Sequence, residues 1–111
     1  MNKKNILLCF CVLASLYYII NQKKEKNTQK PNLTLYYTDW CGYCKAFSQE
    51  WEKLKTSDSN ITFSEINCEK NKDLCSDISG YPTLIYTNNN KIIKYNGQRK
   101  YDDIMQFISQ N

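Results

Sequence analysis

From Ile6 to Ile20 the chain carries no charged residue; Lys3 and Lys4 precede this run, and a Lys-rich polar stretch over 21–31 follows it. Fifteen residues of helix span roughly 22 Å, short of the ~30 Å hydrocarbon core of a bilayer. Snorkelling by Lys4, Lys23 and Lys24 makes up part of that gap. Residues 1–20 therefore read as a signal anchor, a single-pass transmembrane segment. One alternative is a signal peptide cleaved near Val12-Leu13-Ala14, leaving an apolar core of only about six residues and a secreted product. The other is a buried helix of the globular part, which such a run serves poorly because it has no polar face. Lysines on both flanks leave the orientation open. Cys9 and Cys11 read as small apolar residues of the run, and 21–31 as a solvated linker.

Beyond Pro31 the period changes. "LTLYYT" (33–38) is β-branched and aromatic, which predicts a strand. Residues 41–56 place Phe47, Trp51 and Leu54 at i, i+4 and i+7, a helix. "ITFSEIN" (61–67) predicts a second strand, and 68–78 a short helix with Leu74 and Ile78 four apart. "TLIYT" (83–87) and "KIIKYN" (91–96) predict a hairpin about Asn88-Asn89-Asn90, since Asn tolerates the positive φ of a tight turn. Over 101–110, Ile104, Phe107 and Ile108 share a helical face, and Asp102 and Asp103 suit the first turn. The order is β-α-β-α-β-β-α. It implies an α/β domain over 32–111 with a mixed four-stranded sheet: a parallel pair joined by a right-handed crossover, and an antiparallel hairpin. A core of this size gains from a covalent tether.

Charge sharpens the division. Residues 1–30 hold six Lys and one Glu, a net of +5, whereas 31–111 hold nine basic and ten acidic residues, a net of −1. The overall +4 belongs to the tail, so the folded part offers no basic patch for nucleic acid. The chain has no His, which excludes His-based acid–base catalysis and mixed Cys/His zinc sites. Two glycosylation sequons, Asn32-Leu33-Thr34 and Asn60-Ile61-Thr62, carry little weight in a chain this rich in Asn.

Chemistry must then rest on Cys, carboxylates, Lys or Tyr. In "DWCGYCK" (39–45), Cys41 and Cys44 could be a zinc half-site, an inert disulfide or a redox-active dithiol. A zinc ribbon needs a second close pair, whereas Cys68 and Cys75 have six residues between them. Cys41 falls where a strand gives way to a helix, facing unpaired backbone N–H groups and the positive end of the helix dipole. Both favour its thiolate, with Lys45 adding positive charge nearby. Cys44 lies one turn on, expected to be the more buried of the two, placed to resolve a mixed disulfide. Neither metal nor cofactor is called for.

"WCGYCK", "GYPT" (80–83) and "YNG" (95–97) before a C-terminal helix resemble the thioredoxin superfamily, most closely a single catalytic domain of the protein disulfide isomerase family. The resemblance covers about 33–110. It implies a minimal thioredoxin-like fold and thiol–disulfide exchange with cysteine-containing protein substrates, recharged by a redox partner or glutathione. It implies that Cys41 attacks and Cys44 resolves, and that Pro82 is cis and lies against them, where an ordinary trans Pro opening an edge strand is the alternative. Trp40, Gly42, Tyr43, Tyr81 and Pro82 are the residues so assigned to substrate binding, in part by pairing of extended peptide with the backbone before Pro82. It further implies a structural Cys68–Cys75 disulfide, hence an oxidising compartment, endoplasmic reticulum lumenal or otherwise extracytoplasmic. A module that only holds peptides in the Pro82 groove is the alternative function.

Two departures from the family pattern matter. Tyr43 stands where isomerases have His and thioredoxins Pro, which predicts a potential between about −180 and −270 mV. Leu35 stands where the family places a buried acid that takes the resolving thiol's proton. Glu65 on the adjacent strand, with Lys45, is the candidate substitute, an ordinary salt-bridged Glu being the alternative.

Overall fold

A computed structural model describes residues 3–22, 29–57 and 59–111. The apolar run lies in a 20-residue helix, α1 (Lys3–Gln22), about 30 Å long at 1.5 Å per residue. It extends beyond 6–20 at both ends and so reaches the thickness that the uncharged run alone falls short of. Its large apolar side chains are exposed on every side, and among the described residues it is the helix long and apolar enough to cross a membrane. Ser15 returns its hydroxyl to the Cys11 carbonyl, so that polar group is satisfied within the helix. The linker expected over 21–31 lies largely outside the described residues.

The domain then runs β1 (Asn32–Tyr37), α2 (Gly42–Lys55), β2 (Thr62–Asn67), a 3-10 turn (Lys72–Cys75), β3 (Thr83–Asn88), β4 (Lys91–Lys94) and α3 (Tyr101–Gln110). The sheet order is β2-β1-β3-β4. Strand β1 pairs parallel to β2 and antiparallel to β3, and β4 closes an antiparallel hairpin with β3. Asn89 takes a φ of 55° between them, the left-handed conformation Asn adopts at modest cost.

The core forms where the central strands meet the two domain helices. Leu33 and Leu35 on β1 pair with Tyr86 and Leu84 on β3, and Phe47, Trp51 and Leu54 of α2 and Ile104 of α3 complete the buried cluster. Edge-to-face contacts extend it: Trp51 on Phe63 with centroids 5.8 Å apart, and Tyr86 on Phe107 at 5.7 Å. The helices are also joined by a polar contact. The residue before α3, Lys100, has no side-chain cap, and the Tyr101 N–H donates instead to the Glu50 carboxylate of α2 at 2.8 Å. A carboxylate at a helix N-terminus satisfies an orphan donor and meets the dipole favourably.

Two element expectations are corrected. The helix over 68–78 is reduced to one 3-10 turn, with Leu74 at 63% exposure. The Asn67 and Asn71 side chains compete with helical hydrogen bonding: the Asn67 side chain accepts from the Glu69 N–H, and the Asn71 amide donates to the Asn67 carbonyl. Cys68 and Cys75 are disulfide-bonded with Cα atoms 5.7 Å apart at a sequence separation of seven, whereas seven residues of straight helix span about 10 Å. The strand over 91–96 stops at Lys94, although the Tyr95 N–H still reaches the Leu84 carbonyl at 2.9 Å.

The Cys68–Cys75 bond closes a loop of sequence separation seven, for which loop entropy gives roughly 2–3 kcal/mol. Replacing both cysteines with Ser is expected to cost that much, roughly 2–3 kcal/mol, in urea unfolding. A loss below about 0.5 kcal/mol contradicts the tethering role.

Candidate active site

β1 ends at Tyr37, and the chain turns through Thr38, Asp39 and Trp40 before α2 begins at Gly42. This turn is fixed from behind by the segment after β2. The Cys68 N–H donates to the Tyr37 carbonyl at 2.8 Å, the Asp39 N–H to the Glu69 carboxylate at 2.8 Å, and the Asn67 amide to Asp39 at 3.2 Å. The disulfide hairpin thus backs the loop that presents Cys41.

Cys41 is the residue capping α2. Its backbone is extended (φ −74°, ψ 112°), and its sulfur accepts the Cys44 N–H at 3.1 Å. The place usually held by a Ser or Asp oxygen is held here by a thiol. The thiol also donates to the Tyr81 carbonyl at 3.5 Å. That carbonyl belongs to the Tyr81-Pro82 bond, which is cis, with Pro82 buried. Thr83 steadies this turn by donating its hydroxyl to the Gly80 carbonyl at 2.6 Å.

Both cysteines are free thiols. Burial is the reverse of the expectation: Cys41 is 4% exposed, beneath the Tyr81 carbonyl, and Cys44 is half-buried. Desolvation nevertheless acts on Cys44. Burial pushes its thiol from 9.0 up to about 11, and the hydrogen bond with Cys41 and the charge of Cys41 add to the rise. The backbone at Thr38 and the Arg99 guanidinium pull the other way.

Around the pair lie the remaining residues assigned to substrate contact. Trp40 is 69% exposed and meets Tyr81 edge-to-face with centroids 6.0 Å apart. Tyr43 is 73% exposed beneath the Arg99 guanidinium, 5.9 Å from its ring centroid, within the range of a cation–π contact. Gly42 is exposed, and a Cβ there meets nothing.

Of the two proton-handling candidates, Glu65 is engaged elsewhere and Lys45, next to Cys44 in the chain, points no hydrogen bond at either sulfur among the described residues. Lys45 is exposed at the surface of α2. Glu65 accepts from the Trp51 indole at 2.5 Å and pairs with Lys55 at 2.8 Å. Lys55 holds its carboxyl below the ordinary range, opposite to the raised value suited to accepting a thiol's proton. Trp51 is seven residues beyond Cys44, about 10 Å along the helix. The geometry is that of the salt-bridged alternative.

Sequence reasoning missed two groups. Arg99 is one, since nothing in hydrophobic periodicity marks a loop arginine that acts across a tertiary contact. At Gly97 an added side chain would displace the ring of Tyr95, which folds back over it to donate to the Gln98 carbonyl. Thr38 is the other: its hydroxyl is buried without a hydrogen-bond partner among the described residues, beside the backbone that touches Cys44. With Cys68 and Cys75 bonded to each other, the two pairs cannot combine as four thiolates.

Comparison with known proteins agrees with this geometry. The thioredoxin family model matches residues 19–110. A putative protein disulfide-isomerase of Schizosaccharomyces pombe is 28% identical over 97% of this chain and 25% of its own length. The protein disulfide-isomerase of Humicola insolens is 30% identical over 92% of this chain and 22% of its own. The chain thus spans about a quarter of the length of these curated relatives. Among solved structures, the first thioredoxin domain of mouse protein disulfide-isomerase A4 superposes with a TM-score of 0.63 at 31% identity, covering 81% of this chain and 66% of that one. The J-Trx1 fragment of ERdj5 gives 0.69 at 24% identity over 76% of this chain and 44% of that one, a likeness of fold. On strand order, helix-capping dithiol and sequence alike, the chain belongs to the thioredoxin family, and its domain resembles the catalytic domains of protein disulfide isomerases.

Proposed function

We propose that this chain is a membrane-anchored thiol–disulfide oxidoreductase acting on cysteine-containing proteins. Residues 1–20 serve as the anchor, 21–31 as the linker and 32–111 as the catalytic domain. The observation that carries the reading is the sulfur of Cys41 capping α2 while accepting the Cys44 N–H. One thiol is steadied by a helix terminus, and its partner, one turn along, keeps its proton at neutral pH. The names of the relatives support the chemistry. The Cys68–Cys75 bond supports an oxidising compartment, because cytosolic reductants keep such thiols reduced. The apolar α1 supports tethering, which raises the local concentration of the domain toward clients at one membrane face.

The exchange follows from the two thiols. The Cys41 thiolate attacks one sulfur of a substrate disulfide; that S–S bond breaks, and the departing sulfur leaves as a thiolate. Cys44 then loses its proton and attacks the Cys41 sulfur, releasing the second substrate thiolate. The substrate gains two electrons and the Cys41–Cys44 pair is oxidised to a disulfide. Run in reverse, the same steps oxidise a client. Glutathione or a protein dithiol resets the pair. Trp40, Tyr43 and Tyr81 offer aromatic surface to the client, and the Tyr81-Pro82 turn lies directly against the reacting sulfur.

Insulin reduction with a thiol donor tests this directly. Turnover is expected from the intact chain. Cys44→Ala is expected to reduce turnover to background while accumulating mixed disulfides through Cys41, and Cys41→Ala to abolish both. Stoichiometric peptide binding without turnover contradicts the enzyme and favours a peptide-holding module.

The raised Cys44 value sets a pH dependence. Burial of Cys44 persists in the mixed disulfide whereas the Cys41 thiol and its charge do not, so resolution of the mixed disulfide is expected to quicken as pH climbs above 7, following the Cys44 thiolate fraction. Arg99→Gln removes a cation that draws Cys44 down and should move this profile alkaline. An unmoved profile counts against the role of Arg99. Stability runs the other way: the folded reduced domain retains a proton that the unfolded chain releases, so stability falls as pH rises from about 9 to about 11. Cys44→Ala is expected to remove that part of the decline, and an unchanged decline argues against burial of the thiol.

A further inference from the structure

We propose that the groove beside the Tyr81-Pro82 turn binds a carboxylate side chain of the client, so that disulfides flanked by Asp or Glu are preferred. The inference rests on the oxidoreductase reading and adds a substrate class to it.

The groove holds about 310 Å³ and runs from Ser79–Leu84 to the segment Lys94–Gly97 and Arg99. Its charged lining residues are Lys94 and Arg99, both basic; none of the lining residues is acidic. This polarity is local, because residues 31–111 together carry a net charge of −1. Concentrating two cations beside one concave surface of a domain that is net acidic raises the local potential for an anion. Asp103 acts on the Tyr95 hydroxyl but stands outside the lining. The Tyr95 hydroxyl itself is engaged by the Gln98 carbonyl, leaving Lys94 and Arg99 as the charged donors facing an incoming anion. A guanidinium can meet a carboxylate with two parallel N–H donors, and an ammonium adds a point charge.

The groove adjoins the reacting sulfurs. Tyr81 lines it, and the Tyr81 carbonyl lies 3.5 Å from the Cys41 sulfur. Arg99 lines it too, stands over the Tyr43 ring between the two cysteines, and influences the Cys44 thiol. A client cysteine joined to Cys41 therefore carries its neighbouring residues across Tyr81 into the groove. Six consecutive residues, Ser79–Leu84, border one side, a reach that suits several residues of extended peptide better than a free small thiol. The exchange itself is unchanged: Cys41 displaces one half of the client disulfide, Cys44 displaces the other, and two electrons pass to the client.

The test uses the full chain in mild detergent and three disulfide-linked peptides, identical except for Asp, Asn or Lys two residues from the cysteine. The expected exchange efficiency of the Asp peptide exceeds that of the Lys peptide by about tenfold at low salt, and the ratio shrinks at 0.5 M salt as roughly expected for partly exposed charges. Lys94→Gln should lower the ratio and Lys94→Glu should bring it to or below one. Lys94 is the probe because Arg99 also acts on Cys44. Exchange of the Asn peptide with equal rates for Asp and Lys overturns the proposal while leaving the oxidoreductase reading intact. A ratio unmoved by Lys94→Glu also overturns it. Lys94 dependence confined to glutathione disulfide, with no preference among peptides, assigns the site to the small thiol and contradicts a peptide client. Exchange of none of the three overturns both readings.

Discussion

A single hydrogen bond, from the Cys44 N–H to the Cys41 sulfur, organises this molecule. A helix must do something with its first backbone N–H groups, and here one of them is given to a thiol. That choice requires a strand to end and a helix to start within a few residues of Cys41, which the turn Thr38–Trp40 achieves between β1 and α2. It requires the turn to be held in place, which the Asp39–Glu69 and Asn67–Asp39 hydrogen bonds do. It also places Cys44 in the first turn, where the protein interior holds its proton. The asymmetry of the two thiols is thus a property of their places in the helix, since their side chains are chemically identical.

The rest of the domain keeps that helix in register. Phe47, Trp51 and Leu54 bury one face of α2 against β1 and β3, and Ile104 of α3 joins the same cluster. Glu50, on the same helix, caps α3, so the C-terminal helix is fastened to the catalytic one as well as to the sheet. Trp51 carries two loads: it packs on Phe63 and donates its indole N–H to Glu65. That bond and the Lys55 ion pair tie Glu65 to the side of α2. With Leu35 in the core where the family places an acid, the buried environment of Cys44 holds a backbone contact, a neighbouring thiol and the field of Arg99.

Much of this was legible in the sequence because hydrophobic period and chain punctuation agree. Strand and helix periods located β1, α2, β2, β3 and α3 within one residue at nearly every boundary, since their apolar residues are those that the core buries. The segment 68–78 misled because Leu74 and Ile78 mimic a helical stripe, whereas Asn side chains and a disulfide dictate its path. At the site, the placement of Cys41 followed from the strand-to-helix junction. The relative burial of the two cysteines did not, because it depends on the Tyr81 turn arriving from forty residues away. Arg99 and Glu50 were invisible for the same reason: each acts across a tertiary contact with no local pattern.

Cys41 and Cys44 are unequal thiols, one capping the helix and one holding its proton within it. The most direct test of this inequality is substoichiometric labelling of the reduced full chain with iodoacetamide at pH 7, mapped by peptide mass. The predicted result is modification at Cys41 with Cys44 left unlabelled, and labelling of Cys44 appearing as the pH approaches its raised value of about 11. Equal labelling of the two at neutral pH, or Cys44 labelled first, contradicts it.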